Sequence, residues 1–237
     1  MRWLPDDWTP RLVAVDIDGT LTDEQKRLDL TAVAALRDLE DAGIPVVLCT
    51  GNTRAIAYGL RRFIGLSGPM VCENGGVVWF GDDDLVLRAD GTEAREACDW
   101  LASSIKGLDP FGITTNTWRE SEWCLKTEED LEAITEALQA SPWPHLDVVR
   151  TGFAIHIMDP ALSKGAGLDV VLKRMGLDAD DLLVAGDAPN DLSMFALARW
   201  SVAVGGAFPE VMAAASVVSP HMHGATFRPL VDEILAR

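Results

Sequence analysis

The sequence predicts an α/β protein with a Rossmann-like parallel sheet core and an inserted, smaller α+β cap domain. Apolar runs of strand length alternate with amphipathic helical segments at both ends of the chain, which is typical of a right-handed parallel sheet. Between them, residues 81–159 have a different texture, with four of the eight tryptophans. We therefore assign residues 1–80 and 160–237 to the core and residues 81–159 to the cap.

The first predicted strand, residues 12–15, is an apolar run that leads into Asp16-Ile-Asp-Gly-Thr20. Alternate side chains of a strand lie on the same face, so Asp16 and Asp18 are expected to lie close together. Two close carboxylates repel each other unless a cation or a proton separates them. Mg²⁺ prefers oxygen ligands, and Gly19 permits a turn that residues with a Cβ resist. This stretch therefore predicts a metal site at the carboxyl edge of the sheet.

The rest of the first core segment follows the same alternation. A helix is predicted over 31–42, and a strand over 45–49 ends in Thr50-Gly51-Asn52. A helix with apolar residues at 56, 60, 63 and 64 comes next. Strands at 70–72 and 77–80 flank Glu73-Asn74-Gly75-Gly76, where an Asn-Gly pair predicts a hairpin.

The cap segment opens with an acidic turn at 81–84 and contains helices at 92–105 and from Thr127, where a capping box is expected. Strands are predicted at 122–126 and 148–158, the second with alternate residues half-buried. Its tryptophans (Trp100, Trp118, Trp123 and Trp143) are expected to fill the core of a small sheet. His156 is expected to be a hydrogen-bonded strand residue rather than a ligand.

The second core segment restores the parallel pattern. Helices are predicted at 163–175, 192–198, 209–215 and 227–236, and strands at 182–185, 202–204 and 217–218. The strand at 182–185 leads directly into Gly186-Asp187-Ala188-Pro189-Asn190-Asp191. A carboxylate at the end of a buried strand needs a partner, which favours a functional role for Asp187.

The composition excludes several classes of partner. The net charge is −17, from 37 acidic and 20 basic residues, so the overall field repels nucleic acid and anionic membranes. Only five of the basic residues are lysines, and such an acidic shell suggests a halophilic source.

The four cysteines lack metal-ligand spacing and are expected to be buried thiols in a reducing compartment. The first ten residues lack a secretory pattern and no stretch has membrane-spanning length, so we expect a soluble cytoplasmic protein, either a monomer or a homodimer.

Four polar sites fall at strand ends or at a helix start: Asp16 with Asp18, Thr50-Gly51-Asn52, Lys164, and Asp187 with Asp191. Strand ends of a parallel sheet share one edge, so these sites converge. Their order and types resemble the four motifs of the haloacid dehalogenase superfamily, and the resemblance covers the whole core. An insertion between the second and third motifs is also the position of the large cap in that superfamily.

The resemblance implies a Mg²⁺-dependent phosphatase. The ion would be held by Asp16, Asp187, Asp191 and the backbone carbonyl at Asp18, with Asp191 binding directly or through water. Asp16 would attack phosphorus and form an aspartyl phosphate, while Asp18 would act as general acid and base. Thr50 and the amides of Gly51 and Asn52 would hold phosphate oxygens, and Lys164 would neutralise the phosphate and orient Asp16. Two alternatives stay open, namely that Thr50 or Asp191 caps the helix that follows it.

The substrate is expected to be a small phosphorylated metabolite. Thr50-Gly51-Asn52, the Glu73–Gly76 stretch, residues 152–157 and residues 164–168 resemble superfamily members that hydrolyse 2-phosphoglycolate. The cations considered for its carboxylate are Arg54, Arg119, Lys126 and Arg150. The alternatives are a sucrose- or mannosylglycerate-phosphate phosphatase, a phosphomutase, and a non-catalytic binding module on the same fold.

Overall fold

A computed structural model describes residues 2–237 and confirms an α/β protein with two sheets. Eleven strands are present in this range, as follows: β1 (Leu12–Val15), β2 (Val46–Cys49), β3 (Met70–Cys72), β4 (Val77–Gly81), β5 (Asp84–Leu87), β6 (Trp123–Lys126), β7 (Asp147–Arg150), β8 (Ala154–Met158), β9 (Leu182–Gly186), β10 (Trp200–Gly205) and β11 (Val217–Met222). Eight strands form the large sheet and three form the small sheet.

Eight α-helices connect and cover these strands within the same residues. They are α1 (Leu30–Asp41), α2 (Arg54–Ile64), α3 (Thr92–Ser104), α4 (Leu131–Gln139), α5 (Lys164–Met175), α6 (Leu192–Leu197), α7 (Pro209–Ala214) and α8 (Phe227–Leu235). No helix of the described chain is both long enough and apolar enough to cross a membrane.

The large sheet has the strand order β11-β10-β9-β1-β2-β3-β4-β5. The strands from β11 to β3 are parallel, and β4 and β5 add antiparallel pairs at one edge. β1 lies between β2 and β9, with Leu12 opposite Leu182. The predicted parallel core is confirmed, and so is the hairpin between β3 and β4.

Two hydrophobic layers cover this sheet because side chains of β1 alternate between its faces. Val13 and Val15 pack in a layer with residues of α1 and α8, whereas Leu12 and Ala14 pack in a layer with residues of α5 and α6. All four β1 side chains are completely buried. Burial on both faces explains why the strand is a continuous apolar run rather than an alternating one.

The small sheet has the order β6-β8-β7 and is antiparallel throughout. Its hydrophobic layer includes Leu101 of α3 and Ile134 of α4. The prediction of one strand over 148–158 is wrong: β7 and β8 are separate strands joined by a turn at 151–153. The expected half-exposed alternation in β8 is also wrong, because all five residues are buried. The face predicted to meet solvent instead carries His156, which contacts buried polar groups.

Two further details differ from the sequence-based expectations. Helix α4 is capped by Asp130, whose carboxylate accepts from the amides of Glu132 and Ala133, so no capping box forms at Thr127. Strand β5 extends the large sheet although it lies beyond the predicted core limit at residue 80. The exact domain limits therefore stay a prediction.

The aromatic and sulfur residues have mixed outcomes. Trp100, Trp123 and Trp143 pack against the small sheet's hydrophobic layer, as predicted. Trp118 is half exposed and does not pack against this layer, contrary to the prediction. The four cysteines are buried and unpaired, as predicted: Cys49, Cys72, Cys98 and Cys124.

Candidate active site

Three parallel strands bring the predicted site residues to one edge of the large sheet. Asp16 directly follows β1, Thr50 follows β2 and Asp187 follows β9. The turn after β9 returns Asp191 to the same place, so that carboxylate oxygens of Asp16, Asp187 and Asp191 lie within 4.8 Å of one another. Residues distant in the sequence therefore form one acidic group, as the strand order requires.

Lys164 closes this acidic group from the start of α5. Its Nζ lies 2.6 Å from Asp16 Oδ1 and 2.5 Å from Asp191 Oδ1. The lysine side chain is 1% exposed, and burial by itself would favour the neutral amine. The two carboxylates outweigh burial and raise the pKa of Lys164, so the ammonium ion stays charged.

The acidic group retains excess negative charge despite this lysine. Burial, opposed by Lys164 but reinforced by Asp191 and Asp187, raises the pKa of Asp16 well above its usual range. Burial and then Asp191 raise the pKa of Asp187. Three carboxylates face one ammonium ion, and their hard oxygen atoms suit a divalent cation of the magnesium type. The residues present therefore fit a divalent metal ion.

Hydrogen bonds hold the turn after β9 in position. Asp191 Oδ2 accepts from the amides of Asp187 and Ala188 at 2.9 and 3.0 Å. The Asp191 side chain thus fixes its own loop, and it makes no capping bond to α6. Thr20, the last residue of the first motif, donates its hydroxyl to Asp187 Oδ1 at 2.9 Å.

Gly19 is required by both backbone conformation and space. Its φ of +87° lies in the left-handed region, and an added Cβ would lie 2.4 Å from Asp187 Oδ2. A side chain at this position would displace Asp187 or the turn.

Asp18 has surroundings different from those of Asp16. Its carboxylate is absent from the acidic group found among residues 2–237 and is partly exposed. Asp18 Oδ1 lies 3.1 Å from Lys26 Nζ, and Oδ2 accepts a hydrogen bond from Asn52 Nδ2. The two aspartates of the first motif thus share one cleft, but Asp18 contacts the Lys26 ammonium group and the Asn52 amide, whereas Asp16 lies beside two other carboxylates.

The loop after β2 is organised by Thr50, which is almost completely buried. Thr50 Oγ1 accepts from the backbone N and from Nδ2 of Asn52, at 3.0 and 3.1 Å. Helix α2 begins at Arg54 with Thr53 in the N-cap position, so Thr50 does not cap it. The side chain of Asn52 consequently lies between Thr50 and Asp18.

A cleft of about 100 Å³ lies over these groups. Core residues line most of it, and the turn between β7 and β8 contributes Thr151, Gly152 and Phe153 from the small sheet. The cleft can therefore hold a small molecule in contact with both sheets.

A buried polar network lies behind this turn. The pairing of β6 with β8 places Cys124 opposite His156, with Sγ and Nδ1 3.2 Å apart. His156 Nδ1 is also 2.9 Å from Glu122 Oε1, and Nε2 is 3.0 Å from Thr151 Oγ1. Glu122 pairs with Arg119, which balances its charge within the network. The prediction that His156 is a hydrogen-bonded strand residue fits this geometry, although sequence spacing had not indicated a cysteine beside it.

Asn74 connects that network to the site loops. Its Nδ2 lies 3.2 Å from both Glu122 Oε2 and His156 Nδ1, and its Oδ1 accepts from Asn190 at 3.1 Å. Asn74 has a φ of 52° in the hairpin between β3 and β4. The Asn-Gly signal predicted the hairpin but not the polar role of its side chain.

Lys26 is the other site residue that sequence reasoning missed. It lies in the turn after the first motif and lines the cleft. The short turn at 23–27 gives no periodicity from which a side-chain direction could be predicted. The four cations predicted for the substrate carboxylate do not line the cleft. Arg54 pairs with Glu120, Lys126 pairs with Asp109, and Arg150 donates to the carbonyl of Glu129. Arg119 is buried, pairs with Glu122 and donates to the carbonyl of Gly51.

Comparison with known proteins agrees with this arrangement. Residues 13–103 and 114–224 match the family model described as haloacid dehalogenase-like hydrolase. A phosphoglycolate phosphatase of Methanothermobacter thermautotrophicus is 40% identical over 215 residues, which are 90% of this chain and 94% of that protein. Another of the same name, from Haloarcula marismortui, is 37% identical over 94% of this chain and 96% of its own length.

Solved structures share the fold. A protein of Thermoplasma acidophilum superposes with a TM-score of 0.87 at 25% identity, covering 97% of this chain and all of its own. A haloacid dehalogenase-like hydrolase from Bacteroides thetaiotaomicron has a TM-score of 0.79 at 19% identity, covering 95% of this chain and 99% of its own. The second likeness concerns the fold alone.

Proposed function

This chain belongs to the haloacid dehalogenase-like hydrolase family, and on that premise we propose that it is a Mg²⁺-dependent phosphatase that hydrolyses 2-phosphoglycolate to glycolate and phosphate. The observation that carries the proposal is the group of Asp16, Asp187 and Asp191 around the ammonium ion of Lys164 at one sheet edge.

The metal ligands in this proposal are Asp16, Asp187, Asp191 and the backbone carbonyl of Asp18. When bound, Mg²⁺ supplies positive charge against the phosphate oxygens, which lowers repulsion of an anionic nucleophile. Asp191 would hold the ion directly or through a water molecule, since Mg²⁺ commonly keeps several waters. Its second oxygen meanwhile holds the amides of the loop.

Asp16 is the proposed nucleophile. One of its carboxylate oxygens forms a bond to phosphorus as the bond between phosphorus and the leaving oxygen breaks, which produces an aspartyl phosphate. Lys164 orients Asp16 from 2.6 Å, and its charge opposes the rise in the pKa of Asp16 that burial causes. Thr50, Gly51 and Asn52 bind non-bridging oxygens of the phosphate at the end of β2.

Asp18 is the proposed general acid and base. It gives a proton to the leaving glycolate oxygen and then takes one from the water that attacks the aspartyl phosphate. Its position at the cleft, partly exposed and outside the acidic group, suits a residue that exchanges protons with substrate and water. The hydrogen bond from Asn52 restricts the carboxylate to one orientation.

The choice of 2-phosphoglycolate rests on two observations. Relatives at 40% and 37% identity over most of the chain are named phosphoglycolate phosphatases. The cleft of about 100 Å³ suits a short ester better than a disaccharide phosphate. The four buried free thiols support a cytoplasmic protein.

A panel of small phosphate monoesters with and without Mg²⁺ tests the proposal. We expect release of phosphate that requires the metal, with the highest kcat/KM for 2-phosphoglycolate. Equal or greater kcat/KM for sucrose phosphate or mannosylglycerate phosphate would reject the assigned substrate. Phosphate transferred to a sugar rather than to water would identify a mutase instead, and no turnover of any ester would leave only a binding role.

A further inference from the structure

Lys26 is held in the cleft by a tightly bonded turn. The amide of Asp23 donates to the carbonyl of Arg27 at 3.0 Å, and the amide of Lys26 donates to the carbonyl of Asp23 at 2.9 Å. The Asp23 carboxylate also accepts from the amides of Gln25 and Arg27. These bonds fix a five-residue loop directly after the first motif.

The backbone of Lys26 has a φ of 61°, in the left-handed region. A residue with a Cβ is strained in this region relative to ordinary backbone, so glycine is the common choice in such turns. Strained residues of this kind concentrate at functional sites, where their side chains have a task. The lysine therefore occupies a position at which glycine would be more stable.

The position of the ammonium group indicates that task. Lys26 Nζ lies 3.1 Å from Asp18 Oδ1, and its side chain is 49% exposed. Among the described residues that line the cleft, it is the only cation. Lys164, the other cation near the reacting groups, is buried and already contacts Asp16 and Asp191.

We propose that Lys26 binds the carboxylate of the substrate and so selects phosphate monoesters that carry one. The inference rests on the proposed function, in which phosphorus lies at Asp16 and the leaving oxygen lies at Asp18. In 2-phosphoglycolate, a single methylene carbon separates the carboxylate from that oxygen. It therefore reaches the neighbourhood of Asp18, where the Lys26 ammonium group lies partly open to solvent.

The test compares 2-phosphoglycolate with 2-hydroxyethyl phosphate, which has nearly the same size but no carboxylate. Lys26→Gly removes the cation and suits the positive φ, so its fold is expected to be intact. Lys26→Met keeps the apolar stem. In both variants, we expect kcat/KM for 2-phosphoglycolate to fall about tenfold to a hundredfold, mainly through KM. For 2-hydroxyethyl phosphate, the expected loss is at least about tenfold smaller.

Lys26→Arg, which keeps a positive charge, is expected to recover part of the preference. Lys126→Met serves as the matched control, because Lys126 is a half-exposed lysine that pairs with Asp109 away from the cleft. An equal loss for both esters would overturn the proposal, since Lys26 would then act only through Asp18. The proposal would also be overturned if Lys26→Gly had the same ratio of kcat/KM for 2-phosphoglycolate to kcat/KM for 2-hydroxyethyl phosphate as the wild type. If the wild-type enzyme itself does not prefer 2-phosphoglycolate, the proposed substrate fails instead, and the two failures are distinguishable.

Discussion

Glu73 accepts two hydrogen bonds from Ser121, whose backbone N and Oγ both lie 2.9 Å from Glu73 Oε2. Glu73 follows β3 of the large sheet, and Ser121 lies just before β6 of the small sheet. Both residues are buried. A buried carboxylate therefore joins the two parts of the molecule beside the polar network of Asn74 and Glu122.

Glu73 is predicted to make stability depend on pH. Burial, followed by the charge of Glu122, raises its pKa from 4.5 to about 7. Because the folded state holds this proton more tightly than the unfolded state, folding is favoured at low pH. That advantage decreases as the pH rises from about 4.5 to 7, by roughly 3 kcal/mol in total.

Glu73→Gln is expected to remove this dependence. The free energy of unfolding of wild type minus that of the variant should fall by roughly 2.5 kcal/mol between pH 5 and pH 8. Urea titrations of both proteins at the two pH values measure it. The same difference at pH 5 and pH 8 would mean that Glu73 titrates normally.

Asp16→Asn is predicted to abolish turnover while the protein stays folded. An amide cannot form the phosphorylated intermediate, so kcat should fall by at least about a thousandfold. The variant keeps the size of the side chain and removes one of three crowded carboxylates. Circular dichroism checks the fold, and turnover close to that of the wild type would reject Asp16 as the nucleophile.

Chelation is predicted to remove activity and leave the protein folded, because the acidic group lies at a sheet edge rather than in a hydrophobic layer. Adding Mg²⁺ at about a hundred times its Kd should raise the free energy of unfolding by about 2.7 kcal/mol. Asp187→Ala should lower the Mg²⁺-dependent activity and the stabilisation by added Mg²⁺. Asp99→Ala, which changes an exposed aspartate on α3, should alter neither quantity. Activity that persists in excess chelator would reject the metal.

Gly19→Ala is predicted to inactivate the enzyme, because its Cβ would lie 2.4 Å from Asp187 Oδ2. Gly43→Ala is the matched control, since Gly43 also has a positive φ but has no atom within 4 Å of an added Cβ. Both substitutions should lower stability by about 1–2 kcal/mol for their φ. Only Gly19→Ala should lower kcat/KM, by about a hundredfold or more. Equal activities would show that Asp187 tolerates displacement.

The residues that sequence reasoning located best are those fixed by regular structure. Asp16, Thr50 and Asp187 follow buried parallel strands, and strand direction alone puts them at one edge. Lys164 and Asp191 were located through a family motif rather than through periodicity. The direction of their side chains depends on the attraction between the Lys164 ammonium group and the carboxylates of Asp16 and Asp191, which come together only in the folded chain.

The residues that were missed depend on turns and on packing between the sheets. Val148 to Met158 favours strand conformation almost throughout, so the turn at Gly152 had little local signal. His156 is polar within an apolar run, and its partners Glu122 and Cys124 belong to another strand. Lys26 owes its direction to a loop without repeating pattern. Such side chains can be placed only once the strand pairing is known.

The central position of β1 has a consequence for how the chain folds. Leu12 pairs with Leu182, so β1 cannot gain its second neighbour until most of the polypeptide has been synthesised. Closing so long a loop has a high entropic cost, and parallel pairing between distant segments is slow. During translation, β1 therefore lacks its β9 neighbour, and Asp16 can approach Asp187 only after residue 187 has been synthesised.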